Sequence, residues 1–147
     1  MVLALALVHL TVAAIWLGSM GYSLFVVQPR VARFFEDDLR REEFLTTLAQ
    51  GNRWRVVGLI AVLLCTAVGL AVASEGAARL AYVGVFIAYG VAALIFSNVS
   101  WRHWPARVFA LPEEVPAYQR ALRKQAKAML ALVGLAYLTA LATSLAG

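Results

Sequence analysis

One imidazole, His9, sits near the start of a stretch that carries no charged side chain from Met1 to Gln28. A neutral imidazole can ligate iron or copper, pass a proton, or make one hydrogen bond through each nitrogen. Ala13, Trp16, Met20 and Ser23 follow His9 at steps of three or four, which places all five on one helical face. His9 and Trp16 are then two turns apart, about 10 Å along the axis. Three roles are open for His9: a hydrogen-bonded tether between helices, an axial ligand to heme, or a copper or proton-relay group. An ionisable group inside an apolar span points to function by default.

The other candidates carry less chemistry. His103 lies between Arg102 and Trp104 and reads as a solvated or headgroup-facing residue. Cys65 is the one cysteine, so no intrachain disulfide forms, and inside an apolar run it reads as a small hydrophobe. No CxxC or paired Cys/His spacing marks a zinc or iron–sulfur site.

The elements that position these residues follow from composition. The chain is 63% hydrophobic and 14% charged, with a mean hydropathy of +0.78; soluble domains carry about 25% charged residues. Four apolar runs, at about 2–28, 56–74, 80–97 and 128–145, are each near the ~20 residues that cross a bilayer. A signal peptide needs a positive start and a short apolar core. No Lys or Arg precedes Arg30, and the first run is too long, so it reads as a span. The fold class is all-α: one integral-membrane domain over residues 1–147, a four-helix bundle with sequential helices antiparallel.

Charge placement sets the orientation. Of 13 basic residues, Arg30, Arg33, Arg40, Arg41, Arg53 and Arg55 fall in the first connection. Arg102, Arg107, Arg120, Arg123, Lys124 and Lys127 fall in the third, and Arg79 alone in the second. The positive-inside rule puts the two long connections in the cytoplasm and both termini outside, with Trp54, Trp101 and Trp104 as an inner aromatic belt. The net charge of +5 is thereby explained by topology, and a nucleic-acid partner is not expected.

The two long connections resemble each other. Pro29-Arg30-Val31-Ala32-Arg33 and Pro105-Ala106-Arg107-Val108-Phe109 are each followed by acids, then bases, then a span. This reads as a parallel repeat of two helical hairpins. Residues 38–55 read as a cytoplasmic extension of the second helix, bent at Gly51-Asn52, and Pro116 as a first-turn residue of the fourth. Gly18-Ser19-Met20-Gly21 offers small residues for close approach by another helix. Tyr89 on the third helix and Tyr137 on the fourth fall at depths near His9. Arg30, at the exit of the first helix, is placed to pair with a phosphate or propionate. Most of a ~30 Å hydrocarbon core separates His9 from His103, so the two cannot ligate one heme.

His9-x6-Trp16-x-Gly18, then Pro29-Arg30, then a second span ending Thr66-Ala67-Val68-Gly69-Leu70, resembles the four-helix unit of the copper-resistance protein D superfamily. Similar units occur in HemJ-type protoporphyrinogen oxidases and in the membrane part of bacterial urate hydroxylase, whose Trp-Pro loop is similar to the segment from Ser97 to Trp104-Pro105. The resemblance implies heme binding at His9. It also implies a lysine on the third helix for the oxidase, and 80–97 contains none, which argues against that activity. No CxxCH marks the cytochrome domain of the urate enzyme.

The resulting expectation is a multi-pass protein of a bacterial cytoplasmic membrane holding one heme b through His9. Trp16, Tyr89, Tyr137 and Arg30 would complete the site. It would serve as an electron carrier or as a subunit of a membrane redox complex. The alternative is a cofactor-free structural or assembly subunit packed against partner helices or further copies of itself. A copper-handling role is the third reading, for which three Met and one Cys supply few ligands.

Overall fold

The computed structural model describes residues 1–111 and 113–146. Four long helices make up nearly all of it: α1 Val2–Phe34, α2 Asp38–Ala73, α3 Gly76–Val108 and α4 Val115–Ala146. Each is long and apolar enough to cross a membrane, which gives the chain the character of a membrane protein. The described residues form no strand. Sequential helices are neighbours, and α4 closes the ring by packing on α1. Short connections force sequential helices to run antiparallel.

The helix starts have local causes. The Asp37 carboxylate accepts the Leu39 N–H at 2.9 Å and caps α2. Gly76 opens α3 with φ +54°, a left-handed conformation that only glycine adopts freely. The α2–α3 turn is thus as tight as its sequence implies, and Arg79 Nε closes it on the Ser74 carbonyl at 2.9 Å.

Two helix ends differ from expectation. The first and third spans are expected to end at about 28 and 97, yet α1 continues through Pro29 to Phe34 and α3 through Pro105 to Val108. Each proline is preceded by a π-helical turn, Ser23–Val27 and Val99–His103. In the first, the Gln28 N–H reaches the Ser23 carbonyl; in the second, the Trp104 N–H reaches that of Val99. Proline lacks an N–H, and its ring clashes with the carbonyl four residues back. A widened turn just before it removes the clash, so the helix survives. Helix α2 is also unbroken at Gly51-Asn52, where a bend is expected. One glycine costs about 1 kcal/mol in a helix, too little to break one of 36 residues.

The core is one stripe per helix. It comprises Ala6, His9, Ala13 and Trp16 on α1, and Ile60, Leu63, Thr66, Ala67 and Leu70 on α2. Tyr82, Val85, Tyr89 and Ala92 on α3 meet Met129, Val133, Ala136 and Ala140 on α4. The stripes repeat. His9, Ala13, Trp16 and Pro29 have Val85, Tyr89, Ala92 and Pro105 at a constant offset of 76 residues. Ile60, Leu63 and Ala67 have Val133, Ala136 and Ala140 at an offset of 73. Large and small side chains alternate between the copies: Trp16 against Ala92, Ala13 against Tyr89. Such alternation lets two equivalent helices fill a shared centre without overlap.

Gly18 and Gly21 have no heavy atom within 4 Å of where a Cβ would stand, so no helix of this chain approaches closely there. The close approach is at Gly69, where a Cβ would lie 2.8 Å from Leu5 Cδ2.

Candidate functional site

Three rings fill the middle of the bundle. His9 and Tyr89 are fully buried, and Trp16 is 1% exposed. The Tyr89 ring meets His9 edge-on at 5.6 Å between centroids and Trp16 at 6.2 Å. His9 Nδ1 lies 2.7 Å from Thr66 Oγ1 on α2. The Thr66 hydroxyl has one proton, and the Val62 carbonyl at 2.7 Å takes it. Nδ1 therefore donates to Thr66, and the lone pair sits on Nε2. Neither His9 Nε2 nor Tyr89 Oη has a hydrogen-bond partner among the described residues.

Of the five residues expected to form one site, the structure brings His9, Trp16 and Tyr89 together. Tyr137 is half-buried and packs against the same core. Arg30 is not part of the cluster. It is exposed, and 21 residues along a helix separate it from His9, about 30 Å. It cannot hold a propionate of a heme whose iron is at His9.

A heme at His9 also needs space. The free Nε2 has the right chemistry for an axial ligand. As packed, however, the imidazole is sealed by protein, and it lines neither the cleft below Trp16 nor the pocket at the basic end. A porphyrin does not fit unless α1 and α3 part. For copper, no group of three or more His, Cys, Asp or Glu side chains comes together among the described residues.

Below Trp16, toward the end that carries the basic connections, a cleft of about 200 Å³ opens between the helices. Trp16, Met20, Phe96 and Met129 form its apolar part; Ser19, Ser23, Asn52, Arg53 and Ser100 supply polar atoms. Arg53 is held there by α3. Its Nη2 donates to the Ser100 carbonyl, and its guanidinium lies 5.0 Å from the Trp101 ring centre. The bond has a backbone cause. After the π-helical turn, the next N–H would fall to Ser100 O, but that residue is Pro105 and has none. Arg53 supplies the missing donor. Its Nε is buried without a partner.

At the basic end, charges from three helices meet. Arg107 on α3, its side chain 3% exposed, contacts both oxygens of Glu42 on α2, with Nη2–Oε1 at 2.6 Å. Gln119 on α4 donates to the same Oε1 at 3.1 Å. The Arg107 guanidinium also lies 5.0 Å from the Trp104 ring centre. His103, expected at a wet surface, is 7% exposed and packs against Trp104 and Tyr118. The π-helical turn changes the helical phase along Val99–His103, and Ser100 and His103 within it and Trp104 and Arg107 after it are all buried. Nothing in the local spacing of Arg107 and Glu42, 65 positions apart, announces the pair. The signal that could have found it is the proline repeat, which places Arg107 just after a widened turn.

A scan of family models, a search of curated proteins and a search of solved structures found no match to this chain. The likeness to the copper-resistance D superfamily therefore rests on the motif alone.

Proposed function

We propose that this chain is a redox-associated binding subunit of a bacterial cytoplasmic membrane, and that its ligand is a small carbonyl-bearing ring of the quinone class, held in the cleft below Trp16. The basic connections face the cytoplasm under the positive-inside rule, so the cleft opens in the inner half of the bilayer. The cleft itself carries the reading. An apolar cavity of about 150 Å³ accepts a benzene ring, so the ~200 Å³ here suits one substituted ring. Its walls are aromatic and thioether, its polar end offers Arg53, Asn52 and serine donors, and quinone carbonyls accept hydrogen bonds. Arg53 lines the cleft and has donors beyond the one it gives to the Ser100 carbonyl. The chain acts here by binding, within a larger assembly; no constellation of catalytic groups enters the argument.

The test is a titration of the detergent-purified full chain with a short-tailed benzoquinone, followed by tryptophan quenching. Saturable binding that Ala126→Phe abolishes by filling the cleft is the expected result. Quenching that is linear in quinone, or equal in the filled variant, rules the reading out.

A second reading keeps heme b at His9, favoured by the unpartnered lone pair on Nε2. It requires the bundle to open around Tyr89. Protein purified with its endogenous pigments would then show a Soret band that His9→Ala removes; no band in the unmodified protein eliminates it.

A further inference from the structure

We infer that the basic end of the bundle is a phosphate-type anion site, built by all four helices and independent of the quinone reading. A pocket of about 140 Å³ lies there, next to the cleft and sharing Gln28 and Trp104 with it. Gln28 comes from α1, Arg41 from α2, Trp104 and Arg107 from α3, and Gln119 and Arg123 from α4. Three guanidiniums thus line one small concavity. Two carboxylates oppose them. Glu42 is committed to Arg107 and stands 4.0 Å from Arg41. Asp38 pairs with Arg41 at 2.8 Å, but its side chain is 79% exposed, where water screens most of the attraction. Arg123 makes no ion pair among the described residues. The pocket keeps an excess of positive charge.

The geometry of the donors points to phosphate. Arg107 donates Nη2 to Glu42, holds Nε against the other carboxylate oxygen, and keeps Nη1 free of that pair. Glu42 holds the Arg107 fork, and Trp104 backs it, so it is rigid before any anion arrives. A pre-oriented Nη1 on Arg107, the guanidiniums of Arg41 and Arg123 and two amide side chains at hand match the several oxygens of a phosphoryl group. Two sources share that chemistry: the headgroup of an anionic phospholipid, and free phosphate. Basic pockets between spans on the cytoplasmic side are known binding places for acidic lipid headgroups.

The full chain in detergent is titrated with inorganic phosphate, and separately reconstituted into phosphatidylcholine nanodiscs with and without phosphatidylglycerol. Thermal unfolding is followed in each case. Protection by phosphate identifies the free anion as ligand; protection by phosphatidylglycerol alone identifies the headgroup. Arg123→Gln should weaken the protecting ligand by about fivefold, the effect of one arginine at an acidic headgroup. Arg41→Gln should do the same. Lys124→Gln, which loses the same charge beside the pocket, should change it little. No protection by either ligand, or equal weakening in Lys124→Gln and Arg123→Gln, overturns the site.

Discussion

The two histidines of this chain mark two kinds of interior. His9 lies where three rings and one hydrogen bond fill the bundle centre, with no charge in the cluster. His103, about 27 Å further along the equivalent helix by residue count, lies where an arginine, a carboxylate and an amide lock three helices together. The first region is held by shape and tolerates one loose polar atom on each of two rings. The second is held by charge, and removing one charge leaves its partner stranded. The difference teaches where each region is fragile, and it is open to direct attack.

Glu42→Gln is the largest expected blow. It leaves Arg107, 3% exposed, without its counter-charge. Breaking one side of a buried pair costs about 3–5 kcal/mol, to be read from reversible unfolding in mixed micelles. If the loss stays under about 1 kcal/mol, the basic end is not held by charge and the contrast dissolves. The joint replacement of Glu42 and Arg107 by Gln and Met should recover most of the loss, since the penalty belongs to the orphaned charge.

The sequence showed one region far better than the other, for a geometric reason. His9, Ala13, Trp16 and Met20 sit on one helix at steps of three and four, so their common face is visible from spacing alone. All of them are buried or packed on the core. The four spans are legible in the same way. Glu42, Arg107 and Gln119 come from three helices, and no local period relates them. The helix extensions past Pro29 and Pro105 were not legible for a specific reason: a proline is carried inside a helix only where the turn before it is widened, and no single residue type signals a widened turn. That one backbone event goes with two extended helices, the buried His103 and the Arg53 bond to the Ser100 carbonyl.

Arg53→Gln probes that last consequence. It removes the donor to a carbonyl that Pro105 leaves unpaired, and an unsatisfied buried acceptor costs about 1–3 kcal/mol. Pro105→Ala restores a backbone N–H five residues after Ser100. In the Pro105→Ala background the Arg53→Gln loss should shrink by about half or more, measured as a double-mutant cycle. Additive losses would mean that Arg53 serves something other than the proline defect. Thr66→Val comes next in size. It strips the acceptor from His9 Nδ1 and should cost about 1 kcal/mol, in line with interhelical hydrogen bonds in membranes.

The smallest effect is the most informative about the dry centre. Tyr89 Oη is buried and has no partner among the described residues, so it carries a desolvation penalty without a bond in return. Tyr89→Phe keeps the ring contacts to His9 and Trp16 and deletes only that oxygen. The expected change is about zero, or a gain of a few tenths of a kcal/mol, because removing an unsatisfied polar atom is neutral or stabilising. A loss of about 1 kcal/mol or more would show that the hydroxyl has a partner in the membrane, and the His9 ring, with its unpartnered Nε2, packs against the Tyr89 ring. In that event the centre holds a polar bridge, the shape-against-charge contrast fails at its first term, and His9 becomes the residue to pursue.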